Sequence, residues 1–255
     1  MAITIKNESE VARMREAGHV VSVCHARVEP AIAPGVTAKD LDALVRDTIA
    51  EMGAKSNFFG HEGFPGYICA SVNDQIVHGI PSNRKLREGD IISVDIGAIV
   101  EGVHGDSAWT YPVGQVSEEV QRLLDDTEAA LYEGIAAARG GNRLGAIGNA
   151  VEAYAGPRGY GIVQGYGGHG IGRDMWEEPH IPNLGQPHRG PRLRPGMTLA
   201  IEPMLNLGKA DTRVLADKWT VVTADGSWSA HFEHTVVVTE GEPIILTERL
   251  SPVVQ

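Results

Sequence analysis

Three observations predict an α+β fold with helices packed over antiparallel strands. Segments with three- and four-residue apolar spacing, the mark of half-buried helices, stand apart from short β-like runs. They follow one another as two helices and strands, then two helices and strands, which suggests two similar halves although no sequence repeat links them. Glycine, at 31 of 255 residues, punctuates the chain without a collagen or linker repeat, as expected where there are many turns and close backbone approaches.

Val11, Met14, Gly18, Val21, Val28 and Ile32 predict a first helix from Asn7 to about Ile32, with Asn7 or Ser9 as its cap. Thr37 and Asp40 open a second, carried by Leu41, Leu44, Val45, Ile49 and Met52 and stopped at Gly53. The run NFFGHEGFPG reads as a loop. Strands are expected at Tyr67 to Val72, Gln75 to Val77, Ile91 to Ile99 and Gly102 to Val113. Ser117 starts a third helix that reaches about Arg139 before the Gly140-Gly141 pair, and Arg143 to Tyr154 forms a fourth. The glycine-rich run from Gly156 to Gly172 is expected to interrupt regular structure. Later strands are predicted at Thr198 to Asn206, Trp219 to Thr223, His231 to Thr239 and Ile244 to Leu246.

Composition excludes several classes. With 42% hydrophobic and 22% charged residues the chain can bury a large core. A formal charge of −11 argues against a specific nucleic-acid binder, whose affinity rests on Lys and Arg. No window is long and apolar enough to cross a bilayer, and MAITIKNESEV lacks the features of a signal peptide, so a cytoplasmic location is expected. Cys24 and Cys69 are the only cysteines, which fits a reducing compartment.

Carboxylates inside apolar strands are the informative feature. Asp95 sits in IISVDIGAIV, Glu202 in MTLAIEPML and Glu233 ahead of the valines of HFEHTVVV. One such acid is commonly explained by an ion pair, but three together call for protons, partners or cations, because an unpaired buried carboxylate costs several kcal/mol. By strand alternation Asp95 shares a side with Ser93 and Gly97, and Glu233 with His231 and Thr235. Asp106, in HGDSAWTY, follows Asp95 closely enough for two strands joined by a short turn to bring the aspartates together, which requires a proton or a cation between them. His169, between glycines in GGHGIGRD, adds a nitrogen donor. Oxygen donors with one nitrogen suit a dinuclear Mn(II), Fe(II), Co(II) or Zn(II) site better than calcium or structural zinc.

The motifs NDQIVHGIP, SVDIG, HGDSAWTY, GGHGIGR, AIEPM and FEHTVVV, in this order along nearly the whole chain, resemble type I methionine aminopeptidase, in the short bacterial form of the M24 metallopeptidases. The resemblance implies one catalytic domain over residues 1–255 with the pseudo-twofold pita-bread fold. It implies two divalent metal ions, with Asp95 chelating one, Asp106 and Glu233 bridging both, and His169 and Glu202 completing the other. It also implies removal of N-terminal methionine from peptides and nascent chains with a small second residue: Glu202 moves the proton of the attacking water, and His78 contacts the substrate amide or stabilises the tetrahedral intermediate. The family's methionine slot falls on Phe64, Cys69, Met175 and Trp219, with His61 at the rim, so that Cys69 is a wall and not a nucleophile.

One position departs from that pattern. Seven residues after His169 the family carries a second histidine at the scissile amide, where this chain has Trp176; His180 does not align with it. An indole donates one hydrogen bond but cannot accept one or carry a proton, so weakened turnover is expected. Two other readings are an Xaa-Pro aminopeptidase, which usually carries a large extra domain, and an inactive peptide-binding module of the same fold. A monomer is expected, with at most transient ribosome contact through Arg84, Lys85 and Arg87 or Arg189, Arg192 and Arg194, which read more simply as solvated loop charge.

Overall fold

Capping boxes start the first two helices of the computed structural model, which describes residues 2–251. Asn7 accepts from the Glu10 amide while the Glu10 carboxylate takes the Asn7 amide, opening α1 (Glu8–Val28). Thr37 and Asp40 make the same exchange at the start of α2 (Ala38–Glu51), and Gly53, at φ +68°, ends it. The first helix stops short of the expected Ile32. Pro30 has no N–H and its ring would strike the carbonyl of Ala26, so the chain passes into a 3-10 turn, Glu29–Ala31.

These helices cover a four-stranded antiparallel sheet, in which Ile91–Val100 pairs with Lys55–Ser56, Ile68–Val72 and Val103–Pro112. Glu101 and Gly102, both at positive φ, close the long hairpin in a two-residue turn, as the right-handed strand twist favours. Helix α1 lies close on the hairpin because Gly105 has no side chain to strike the backbone of Ala17 and Gly18, while the bare side of Gly18 takes the Leu246 carbonyl.

The second half begins with α3 (Glu118–Ala137), capped by Ser117, and α4 (Gly145–Ala155). Its five-stranded antiparallel sheet runs Ile244–Ile245, His234–Val237, Thr198–Ile201, Gly168–Gly170 and Glu177–Ile181. Smaller sheets join Ser229–His231, Met204–Asn206 and Gly161–Ile162, and Thr212–Val214, Val221–Thr223 and Gln75–Val77. Leu41, Ile68 and Ile92 of the first half and Leu123, Leu131 and Ile147 of the second belong to one continuous apolar core. Each such side chain contributes about 1.5–3 kcal/mol. Among the described residues no helix is long and apolar enough to cross a membrane.

The later strands differ from expectation in an informative way. Thr198 to Asn206 is two strands, broken at Glu202-Pro203, and His231 to Thr239 is likewise broken at Phe232-Glu233. Pro203 has no donor with which to continue a ladder. On either side of both breaks the chain enters a different sheet: Thr198–Ile201 pairs with His234–Val237, and Met204–Asn206 with Ser229–His231. Glu233 therefore does not share a strand face with His231 and Thr235 as alternation suggested. Its amide turns instead to the carbonyl of Ala108 in the first half, at 2.8 Å. The glycine-rich run is not wholly irregular either, since Gly161–Ile162 and Gly168–Gly170 are strands.

The contact between α1 and the hairpin gives a stability test. A Cβ on Gly105 would stand 2.7 Å from the Gly18 nitrogen, whereas one on Gly156 would meet nothing within 4 Å. Gly105→Ala is expected to lower unfolding free energy by about 1–3 kcal/mol, read as a lower urea midpoint at unchanged slope. Gly156→Ala should leave the midpoint where it is or raise it; equal effects would show that the close approach does not matter.

Candidate active site

Across the long hairpin Asp95 pairs with Ala108 and Gly97 with Asp106. Opposite residues share a face and alternate residues return to it, so the two aspartates lie diagonally on one side, with Cys69 opposite Asp95 on the neighbouring strand. Gly97 leaves the space that Asn57 fills, since a Cβ there would come within 2.4 Å of the Asn57 amide nitrogen.

The two halves are joined at this level. The Asp106 amide donates to Thr235 Oγ1, which donates in turn to the Asp106 carbonyl, at 3.1 and 2.8 Å. Ser107 Oγ donates to the Glu233 carbonyl at 2.6 Å. Glu202 and Glu233, at the two strand breaks, thereby face the aspartates.

His169 comes from the short strand Gly168–Gly170. Its Nδ1 lies 2.9 Å from the Gly170 carbonyl, which can only accept, so Nδ1 carries the proton and Nε2 presents a free lone pair. Ligand atoms of Asp106, His169 and Glu233 lie within 4.8 Å of one another. Asp95 and Glu202 fall outside that tightest group but line the same cavity. Glu202 stands 3.8 Å from His169 Nε2 through one oxygen and 3.4 Å from the buried His231 Nε2 through the other.

Electrostatics set the four acids apart. Burial, with Glu202 close by, lifts the Asp95 carboxyl to about 7 against the pull of His231. Burial, then the charges of Asp95 and Glu202, hold Asp106 well above the usual carboxylate range, and burial, Asp106, Glu202 and Asp95 do the same to Glu233. Burial also pushes Glu202 up, but His231, His169 and His78 together outweigh it and leave that carboxyl below its ordinary value. Asp95 Oδ1, Asp106 Oδ1 and Glu233 Oε1 are buried without a hydrogen-bond partner. Orphaned carboxylate oxygens beside an imidazole lone pair fit divalent transition-metal ions.

All twelve sequence-predicted residues line one cavity of about 40 Å³: the five above with His61, Phe64, Cys69, His78, Met175, Trp176 and Trp219. Phe64, Cys69 and Met175 pack with Phe58 and the half-buried Trp219 into an apolar end. Burial first, then Asp95, Asp106 and Glu233, raises the Cys69 thiol well above its usual value, so it is a neutral wall. His78 sits at φ +57°, uncommon for a side-chain-bearing residue, where Gly79 is tucked against the Ala70 carbonyl. Burial lowers the pKa of its imidazole and keeps it neutral. Trp176 is 44% exposed and stands edge-on to His61 at 4.9 Å and to His169 at 6.4 Å.

Sequence reasoning missed three neighbours. Phe58 belongs to the aromatic run NFFGHEGF, which offered a signal. In the sequence His231 is placed only by strand alternation, and His180 does not align with the family histidine. In the structure His180 pairs across the strands with His169 and lines a second groove with His78, Trp176 and Glu202.

Comparison with known proteins agrees with this geometry. Residues 12–240 match the model of metallopeptidase family M24. The chain is 49% identical to methionine aminopeptidase 1 of Bacillus subtilis (strain 168) over 96% of its own length and 99% of that protein. It superposes on the crystal structure of methionine aminopeptidase from Thermotoga maritima with a TM-score of 0.95 and 42% identity, covering 97% of this chain and 100% of that one. The prolidase from Pyrococcus furiosus shares the fold at TM-score 0.79 and 21% identity, but this chain, 96% of which is covered, spans only 66% of it. With an antiparallel pita-bread core, an M24 match over most of its length and relatives this similar from end to end, the chain belongs to the methionine aminopeptidases of metallopeptidase family M24.

Proposed function

We propose that this protein removes N-terminal methionine from peptides and nascent chains with a small second residue, by hydrolysis that depends on two divalent cations. The observation that carries this reading is the apolar slot of Phe64, Cys69, Met175 and Trp219 opening directly onto the acid cluster. Asp95, Asp106, His169, Glu202 and Glu233 would hold the cations, whose identity among Mn(II), Fe(II), Co(II) and Zn(II) the donor set leaves open. Bound there, the cations supply Lewis acidity that acidifies water and polarises a carbonyl.

The chain's own groups do the rest. The slot, lined by Phe58, Phe64, Cys69 and Met175, binds the methionine side chain and so sets where the first peptide bond stops. The free amine is then drawn to the carboxylates, which accounts for an exopeptidase. Glu202, ionised at neutral pH, accepts a proton from water and passes it to the leaving amine. His78 donates to the substrate amide from its fixed left-handed backbone. Trp176 and His61 narrow the exit, which favours a small second residue.

The reading describes residues 1–255 as one catalytic domain acting as a cytoplasmic monomer, with transient ribosome contact and no specific nucleic-acid site, in keeping with its −11 charge. Of the basic groups, Arg84 pairs with Asp90 and Arg192 donates to the Gly141 carbonyl. An Xaa-Pro aminopeptidase is disfavoured because the chain is 21% identical to the prolidase against 49% to the Bacillus subtilis methionine aminopeptidase 1.

The metal-replete protein should release methionine from Met-Ala-Ser with Mn(II) or Co(II), and EDTA should stop it. Release only of residues preceding proline, or metal binding without turnover, would overturn the reading. Saturating metal should raise the unfolding free energy by about 2.7 kcal/mol at a hundredfold excess over Kd. That gain should shrink from pH 8 to pH 6, because the carboxyls raised by burial take up protons that compete with the metal.

Glu202→Gln is expected to lower kcat by about 10²–10⁴; a loss confined to metal affinity, recovered by excess Mn(II), would remove its proton-transfer role. Trp176→His should raise turnover on Met-Ala-Ser, by on the order of a hundredfold if the imidazole restores one stabilising contact. Equal activity of the two forms would refute the assigned role.

A further inference from the structure

A buried ion pair outside the acid cluster ties the N-terminal segment to the substrate slot. Lys6 Nζ lies 2.5 Å from Glu177 Oε2, with only 5% and 8% of the two side chains exposed, although 171 residues separate them in sequence. Thr4 donates to the same carboxylate oxygen. The other oxygen, Oε1, accepts the Arg173 and Asp174 amides at 2.8 and 3.4 Å, so Glu177 closes the turn from Gly172 to Glu177 upon itself.

The turn is held from other directions as well. The Arg173 guanidinium grips Glu10 Oε1 at 2.7 and 3.0 Å, and Glu10 Oε2 accepts the Asn7 amide at the start of α1. The Lys6 amide donates to the Gly196 carbonyl at 2.7 Å. Gly172 is what lets Lys6 reach across, because a Cβ there would stand 2.1 Å from Lys6 Cε and 2.6 Å from Glu177 Oε1.

Two residues of this turn face the site: Met175, 4% exposed, packs in the apolar slot, and Trp176 forms the wall next to His61 and His169. Among the described residues neither side chain has a hydrogen-bond partner that would fix it, so their places depend on the backbone of the turn. We infer that Lys6 and Glu177 are positioning residues for substrate recognition: the ion pair clamps the 172–177 turn against the N-terminal segment and so sets the width of the slot that reads the first side chain. The inference rests on the proposed aminopeptidase reading for what the slot recognises, but the clamp itself does not.

The experiment compares wild type, Lys6→Met, Glu177→Gln and Lys6→Arg, each metal-replete, on Met-Ala-Ser and Leu-Ala-Ser below the unfolding temperature of every variant. Lys6→Met and Glu177→Gln should each raise KM for Met-Ala-Ser about tenfold, keep kcat within about twofold, and cut the preference for methionine over leucine about tenfold, as loosening an apolar pocket does. Lys6→Arg, which keeps the charge, should stay within about threefold of wild type. In Lys6→Met the amides of residues 173–177 should exchange hydrogen faster while those of α3 are unchanged.

Unchanged KM and unchanged Met-to-Leu preference in folded Lys6→Met would overturn the inference, as would faster exchange spread evenly through the chain. If Lys6→Met does not fold, Glu177→Gln, which keeps side-chain shape, gives the same readings. If wild type releases no methionine while Lys6→Met still frees residues 173–177 selectively, the function is wrong and the clamp stands.

Discussion

Four carboxylates share one buried site, and the rest of the architecture accommodates that constraint. Removing even one ion from water costs several kcal/mol, and like charges a few ångströms apart add to it. Asp95 and Asp106 reach the site from a single hairpin register, while Glu202 and Glu233 reach it from strands that break where their side chains must turn inward. Among the described residues three of their oxygens have no hydrogen-bond partner. A fold that buries acids this way is under tension unless something positive lies among them, and His169, with its proton committed to Gly170, offers an electron pair to the same point.

The site separates two kinds of chemistry a few ångströms apart. Burial at the apolar end raises the Cys69 thiol, which keeps it protonated and inert. At the other end His231, 3.4 Å from Glu202, leads the groups that offset burial and hold that carboxyl below its ordinary value. One burial environment thus yields acids that hold protons and one that gives its proton up, and the difference comes from neighbours rather than depth.

What could be read from the sequence follows from how local each cause is. Caps act within four residues: Thr37 with Asp40 is legible at once, whereas Asn7 and Ser9 compete for the first helix until the exchange with Glu10 decides for Asn7. The acids announce themselves because they interrupt apolar runs, and the motif order brings the family into view. The breaks at Pro203 and Phe232 were hidden because hydropathy continues straight through them, and only partners from distant segments decide which sheet each side joins. Gly168–Gly170 and Glu177–Ile181 have little strand propensity of their own; the first is a strand because Thr198–Ile201 pairs with it, and the second because the first pairs with it in turn. Lys6 and Glu177 carry no signal in sequence, since an isolated lysine near a terminus looks solvated.

The hydrogen bonds between Asp106 and Thr235 and between Ser107 and Glu233 place the chemistry on the line where the halves meet. Asp95, Asp106 and His78 lie before the connector at residues 113–117, and His169, Glu202 and Glu233 after it. A chain divided at that connector would yield two fragments, each with an unsatisfied part of the charge pattern and neither with all five residues of the proposed cation site. Reassembly, not the folding of either piece, would create the site, so the architecture is suited to fragment complementation in which the appearance of activity reports the joining of the halves.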